Sequence, residues 1–79
     1  MNYRIRTFGI ASDILGAKEV TLSVEGNTVA DLRTFLSANY AELNELKSLF
    51  IAVNHEYADD QTVLKENDEI AIIPPVSGG

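Results

Sequence analysis

One stretch of this chain, Val29 to Asn39, has the apolar spacing of a long helix, and the segments around it alternate with period two. Val29, Leu32, Phe35, Leu36, Tyr40 and Leu43 fall on a single stripe, while Arg33, Thr34 and Ser37 fall on the wet side. Thr28 offers an N-cap, with Asp31 three residues on as an imperfect capping box. A helix with one apolar stripe needs a surface to bury it against, and the flanking alternation supplies a sheet face.

Tyr3 to Phe8 reads as a strand with Tyr3, Ile5 and Thr7 on one face and Arg4, Arg6 and Phe8 on the other. Phe8 is thereby left on the charged face. The stretch GIASDILG, Gly9 to Gly16, reads as a bounded loop whose Ile14 and Leu15 plug the core. Glu19 to Glu25 alternates again, with Val20, Leu22 and Val24 inside, and its short link to the first strand implies an antiparallel hairpin. Gly26-Asn27 breaks the strand ahead of the helix.

Beyond the helix, AELNELKSL is expected to add a short helical turn anchored by Leu46 and Leu49. Phe50 to Asn54 is an apolar run of strand length. NHEYADDQ has turn chemistry, which predicts a small hairpin or bulge with Tyr57 near its tip. Leu64 is placed to plug the core. The last strand, Glu69 to Ile73, sends Ile70 and Ile72 one way and Ala71 and Ile73 the other. Pro74 has no N–H for a ladder and Pro75 repeats the obstacle, so the sheet stops at Ile73. The expected class is α+β, and the simplest compact solution is a mixed sheet with one main helix across one face, its first and last strands adjacent and parallel. This is the β-grasp (ubiquitin-like) arrangement, one of several topologies that the periodicity permits. Residues 1–73 form the domain and residues 74–79 an extended, flexible Gly-Gly tail.

Seventy-nine residues leave little room for both a scaffold and a deep enzyme pocket, so a partner is expected to supply most of the chemistry. The absence of cysteine excludes disulfides, thiolate metal sites and a cysteine persulfide carrier. A formal charge of −6, with six scattered basic residues, argues against a nucleic-acid surface and suits a basic protein partner or plain solubility. No stretch approaches the roughly 20 apolar residues of a membrane span. MNYRIRTFGI reads as a strand rather than a signal peptide, so a cytoplasmic location is expected. His55, the one histidine, sits in turn chemistry and reads as solvated. Asp59 and Asp60 diverge in direction and read as turn formers. The glycines form no phosphate-cradling motif.

The C-terminal stretch IIPPVSGG is a stronger candidate. Six residues from Pro74 to Gly79 reach about 20 Å at roughly 3.3 Å per residue. The prolines stiffen the root toward polyproline II, and Gly78 and Gly79 strip the tip of side chains, so a terminal carboxyl could enter a narrow channel. A frayed end would carry the same residues, and on physical grounds both readings stand.

IIPPVSGG, with the preceding IAVNHEYADDQTVLKENDEIA, resembles the small subunits of molybdopterin synthase, sulfur carriers of molybdenum-cofactor biosynthesis with a β-grasp fold. The resemblance spans essentially the whole chain, including TVADLRTFL and NDEIAIIPP. Gly-Gly alone is common to the β-grasp carriers; the double proline, Val76, a small residue and Gly-Gly together are much more specific. Two departures stand out: Ser12-Asp13 occupies the place of a frequent Arg-Glu pair, and Ile73 that of a favoured aromatic.

The resemblance implies that Gly79 carries an acyl-adenylate and then a thiocarboxylate, with Gly78 giving clearance. Pro74, Pro75, Val76 and Ser77 would line the threaded segment, and Phe8, Tyr57 and Ile73 would dock on the partner. The implied partners are a large synthase subunit holding the catalytic pocket, in a heterotetramer of two small and two large subunits, a ubiquitin-activating-type adenylyltransferase and a persulfide sulfur donor. The implied substrate is a cyclic pyranopterin phosphate. No intrinsic cofactor is implied; ATP is consumed by the activating enzyme. A thiamine-type sulfur carrier, a ubiquitin-like modifier and an inert-tailed β-grasp module are the alternatives. The first usually lacks the double proline, and the second commonly has a basic residue beside the glycines.

Overall fold

The computed structural model describes residues 1–75. Five strands form one sheet: β1 (Asn2–Thr7), β2 (Glu19–Ser23), β3 (Phe50–Val53), β4 (Glu56–Tyr57) and β5 (Ile70–Ile73), in the spatial order β2-β1-β5-β3-β4. β1 and β5 lie side by side and parallel, with Arg6 level with Ala71 and Thr7 with Ile72, and every other pairing is antiparallel. The expected mixed sheet with adjacent, parallel first and last strands is therefore observed.

The main helix, α2, spans Val29–Asn39, as its spacing predicts, and buries Val29, Leu32 and Leu36. The Thr28 hydroxyl accepts the Asp31 N–H at 3.2 Å, and the Asp31 carboxylate accepts the Thr28 N–H at 3.1 Å, closing the capping box in both directions. The next orphan donors of the helix are met by another segment: Val29 N–H bonds the Thr62 carbonyl and Ala30 N–H the Asp60 carbonyl. Gly26 is required just ahead of this cap. Its φ is +96°, and a Cβ there would run into the Asp31 side chain.

Under α2 the core is built from alternate residues of the strands, Tyr3, Ile5, Leu22, Ile51, Ile70 and Ile72, with Leu43 and Leu64 closing its sides. Tyr3 is fully buried, and its hydroxyl donates to the Gly26 carbonyl at 3.0 Å. Thr7, the buried polar residue of β1, shares hydrogen bonds with the Ser12 hydroxyl and the Ala17 carbonyl. A 3₁₀ turn at Ala41–Glu45 follows α2, with Leu46 and Leu49 half-buried against the core as expected.

One local expectation is corrected. Gly9 to Gly16 is not a loop but encloses a short helix, α1 (Ile10–Leu15), and its buried residue is Ala11, with Ile14 and Leu15 only half-buried. The flanking glycines are its caps; Gly16, in the left-handed region, donates its N–H to Ser12 O. Six residues are under two turns, too few to display helical period. The small hairpin expected after β3 is observed, with Tyr57 near its tip. That tip is Asn54-His55, both at positive φ (52° and 72°), in a two-residue turn joining β3 to β4. Tyr57 lies on β4 opposite Ala52.

Candidate functional site

Alternation that sends one set of residues to the core sends the complementary set to the open face of the sheet. On β5 these are Ala71 and Ile73; on β3, paired with them in register, Ala52 and Phe50. Tyr57 stands opposite Ala52 on β4, and its ring packs on Phe50 with centroids 5.5 Å apart and planes at 40°. Phe8 follows the last residue of β1 and completes the row at the end of the sheet from which the chain leaves β5. Three aromatic rings remain substantially uncovered: Phe8 and Phe50 at 45% exposure and Tyr57 at 74%. Phe8, Tyr57 and Ile73, nominated separately from the sequence, line one shallow groove of ≈ 400 Å³ floored by Ala52 and Ala71.

Pro74 and Pro75 are half-buried at the end of this groove. Pro74 rests against Gly9: a Cβ on Gly9 would lie 3.4 Å from the proline Cγ, and Gly9 itself has a φ of +55°. The root of the tail is thus seated beside the apolar face. Val76, Ser77, Gly78 and Gly79, which the resemblance assigns to the threaded segment and the reactive end, lie outside the described residues.

The polar rim of the groove consists of Arg6, His55 and Glu69. His55 is exposed, as its turn chemistry predicts, and its Nε2 lies 2.7 Å from a Glu69 carboxylate oxygen. The hairpin carrying it is clamped to the segment before β5: Asn54 Nδ2 donates to Asp68 at 3.1 Å, and the Glu69 N–H donates to Asn54 Oδ1 at 3.0 Å. Asp59 and Asp60 behave as turn formers. Asp59 accepts from the Gln61 N–H at 3.0 Å, and Asp60 pairs with Arg33 Nε at 3.0 Å. Among the described residues no group of three or more His, Asp or Glu is placed to hold a metal ion, and no helix is long and apolar enough to cross a membrane. An apolar floor with a thin polar rim has the make-up common to protein-docking surfaces.

Sequence reasoning missed Phe50 and Arg6 as members of this face. Phe50 opens the run FIAV, where two consecutive apolar residues conceal which belongs to the core. Setting Ile51 inward places Phe50 and Ala52 outward, as β3 does. Alternation places Arg6 on the outer face, but no local pattern joins it to the docking patch.

A five-stranded mixed sheet gripping one main helix, with the chain leaving β5 through two prolines beside an exposed aromatic patch, defines the ubiquitin-like β-grasp class of carrier. The chain belongs to the ThiS family, which matches residues 5–79. Its relatives include the molybdopterin synthase sulfur carrier subunit of Chlamydomonas reinhardtii, 34% identical over 83 aligned positions that cover 100% of both chains. Among solved structures it is similar to a chain of the complex of subunits 1 and 2 of the molybdopterin-converting factor from Helicobacter pylori (30% identity, TM-score 0.68, 100% of both chains). It is also similar to small archaeal modifier protein 1 from Methanosarcina acetivorans (28% identity, TM-score 0.78, 99% of this chain and 96% of that one).

Proposed function

We propose that this protein is the sulfur-carrying small subunit of a molybdopterin synthase. The observation that carries the reading is the exposed apolar face of Phe8, Phe50, Tyr57 and Ile73 at the root of a Pro-Pro-Val-Ser-Gly-Gly segment, in a chain aligned end to end with sulfur carrier subunits. The face docks on a large subunit, and the tail delivers Gly79 into that subunit's pocket.

The chemistry follows from the limits of a carboxylate. At neutral pH a terminal carboxyl, with a usual pKa of about 3.3–3.7, is ionised and a poor electrophile. An adenylyltransferase joins it to AMP from ATP, releasing pyrophosphate, and the acyl carbon becomes open to attack. The outer sulfur of a donor persulfide displaces AMP to give an acyl disulfide; a second thiol then attacks the donor's inner sulfur, forming a disulfide with it and leaving a thiocarboxylate on Gly79. In the large subunit this sulfur attacks the cyclic pyranopterin phosphate, water cleaves the resulting thioester and returns Gly79 as a carboxylate, and two such deliveries complete the dithiolene. Gly78 leaves the acyl carbon clear of side chains, and Pro74 and Pro75 hold the threaded segment extended.

Intact mass after incubation with ATP, a persulfide donor and the activating enzyme tests the reading: one oxygen is replaced by sulfur in the wild type. A variant with one alanine appended after Gly79 gives no such product. An unaltered wild-type mass under conditions that load a known carrier, or equal loading of the extended variant, overturns it. The similarity to small archaeal modifier protein 1 supports a second reading, in which a lysine amine captures the activated Gly79. Amide-linked adducts on other proteins, in place of the thiocarboxylate, would decide for it.

A further inference from the structure

We infer that Arg6 sets the chemistry of the docking partner: the element that covers the open face presents a carboxylate among its apolar side chains, and that carboxylate pairs with the Arg6 guanidinium. The inference rests on the open face being the surface that meets the large subunit.

Of the three arginines, Arg4 and Arg33 each have a carboxylate partner, Glu19 at 3.4 Å and Asp60 at 3.0 Å. Arg6 has none among the described residues, although acidic side chains surround it. Glu19 is its partner in the β1–β2 register, directly across the strand pair, yet turns its carboxylate diagonally to Arg4. Glu69, on the rim of the same groove, is held by His55 at 2.7 Å. Asp68 accepts from the Lys65 N–H at 2.8 Å and from the Asn54 amide at 3.1 Å. Glu66, beyond the groove on the polar side, forms no ion pair among the described residues and does not reach Arg6 within salt-bridge distance.

Arg6 therefore stands between two environments. On one side lie the acids, of which Glu19, Asp68 and Glu69 are engaged by other groups; on the other lie Phe8, Ala71 and Tyr57, the floor and wall of the apolar groove. While the face is open, water solvates the guanidinium at little cost. Once a partner covers the groove, an unpaired guanidinium loses that water, and the penalty is severe unless an acceptor arrives with the partner. Arginine is suited to this position because its planar fork can pair with a carboxylate while its stem lies along apolar surface. A purely apolar docking element would be rejected here, so Arg6 works as a selectivity filter on a patch that would otherwise bind indiscriminately.

The test uses the full chain and the purified large subunit of molybdopterin synthase from the same source, titrated calorimetrically at low and high salt. Arg6→Leu enlarges the apolar face, so it separates the two possibilities by sign. With a partner carboxylate opposite, Arg6→Leu weakens binding on the order of 10- to 100-fold and flattens the salt dependence, while Arg6→Lys keeps part of both. Arg6 is exposed, so thermal melting of these variants should match the wild type. An Arg6→Leu variant that binds as tightly as wild type or more tightly, with an unchanged salt dependence, overturns the inference and leaves the docking face standing. Undiminished binding by Phe50→Asp, or no binding by the wild type, removes the docking face itself and the inference with it.

Discussion

The two faces of the sheet obey one alternation and use it for opposite ends. Toward α2, Tyr3, Ile5, Ile51, Ile70 and Ile72 are at most 1% exposed, and each fills space next to another. On the open side, Phe8, Phe50 and Tyr57 carry as much apolar surface per residue and leave about half or more of it in water. Burial of a large apolar side chain contributes roughly 1.5–3 kcal/mol, so the covered face accounts for the fold while the open face leaves much of that gain unrealised. A small domain with a limited core gains little stability from exposed aromatics, which is why their clustering at the tail root reads as function.

The largest test of this contrast uses neighbours on β3. Ile51→Ala should cost about 2–5 kcal/mol of stability, read as a lowered urea midpoint, because the methyls it removes leave a cavity under α2. Phe50→Asp, one residue away, should change the urea midpoint far less, losing chiefly its ring contact with Tyr57. Its effect belongs to binding: a loss of about 2 kcal/mol, or roughly 30-fold, in affinity for the large subunit. Tyr57→Asp and Phe8→Arg should behave the same way. If Phe50→Asp unfolds the domain, or Ile51→Ala spares stability while abolishing docking, the division between the faces fails.

A smaller effect concerns the helix that covers the core. Thr28→Ala removes the acceptor for the Asp31 N–H and should lower stability by about 1 kcal/mol without altering docking, since the cap lies away from the open face. Affinity measured beside the urea midpoint would reveal any coupling between them.

How much of this could be read in advance depended on period length. The eleven residues of α2 complete three turns, so their stripe identified the helix and its buried face, and Thr28 with Asp31 marked where it starts. β1 and β5 alternate cleanly, which set Ile5, Ile70 and Ile72 inward and Ile73 outward. α1 was illegible because six residues bounded by two glycines have the composition of a loop. Phe50 was missed because FIAV is apolar on both faces, so alternation carries no contrast there. Tyr57 was legible as an exposed residue near a hairpin tip, but the residues that make the tip were not, since it depends on Asn54 and His55 both adopting positive φ, a choice that propensity leaves open at histidine. The convergence of Phe8, Tyr57 and Ile73 on one groove required strand order, which no local pattern contains.

The least of the expected effects separates the faces by pH. The Asp31 carboxylate accepts from the Thr28 hydroxyl at 2.9 Å, the Thr28 N–H at 3.1 Å and the Asn27 N–H at 3.0 Å. The Thr28 hydroxyl is the largest of the influences that hold its pKa below the ordinary 3.8. A carboxyl with a depressed native pKa binds fewer protons folded than unfolded, so its contribution is fully present above the ordinary value and is lost as pH falls through the lower native one. Asp31→Asn keeps an acceptor oxygen but cannot titrate. Across that acid window its urea midpoint should decline less steeply than the wild type's, while docking at neutral pH stays the same. An equal slope in both proteins would mean that Asp31 caps the helix without coupling it to pH. A loss of docking in Asp31→Asn would instead show that the helix end and the open face are joined, against the separation on which the rest depends.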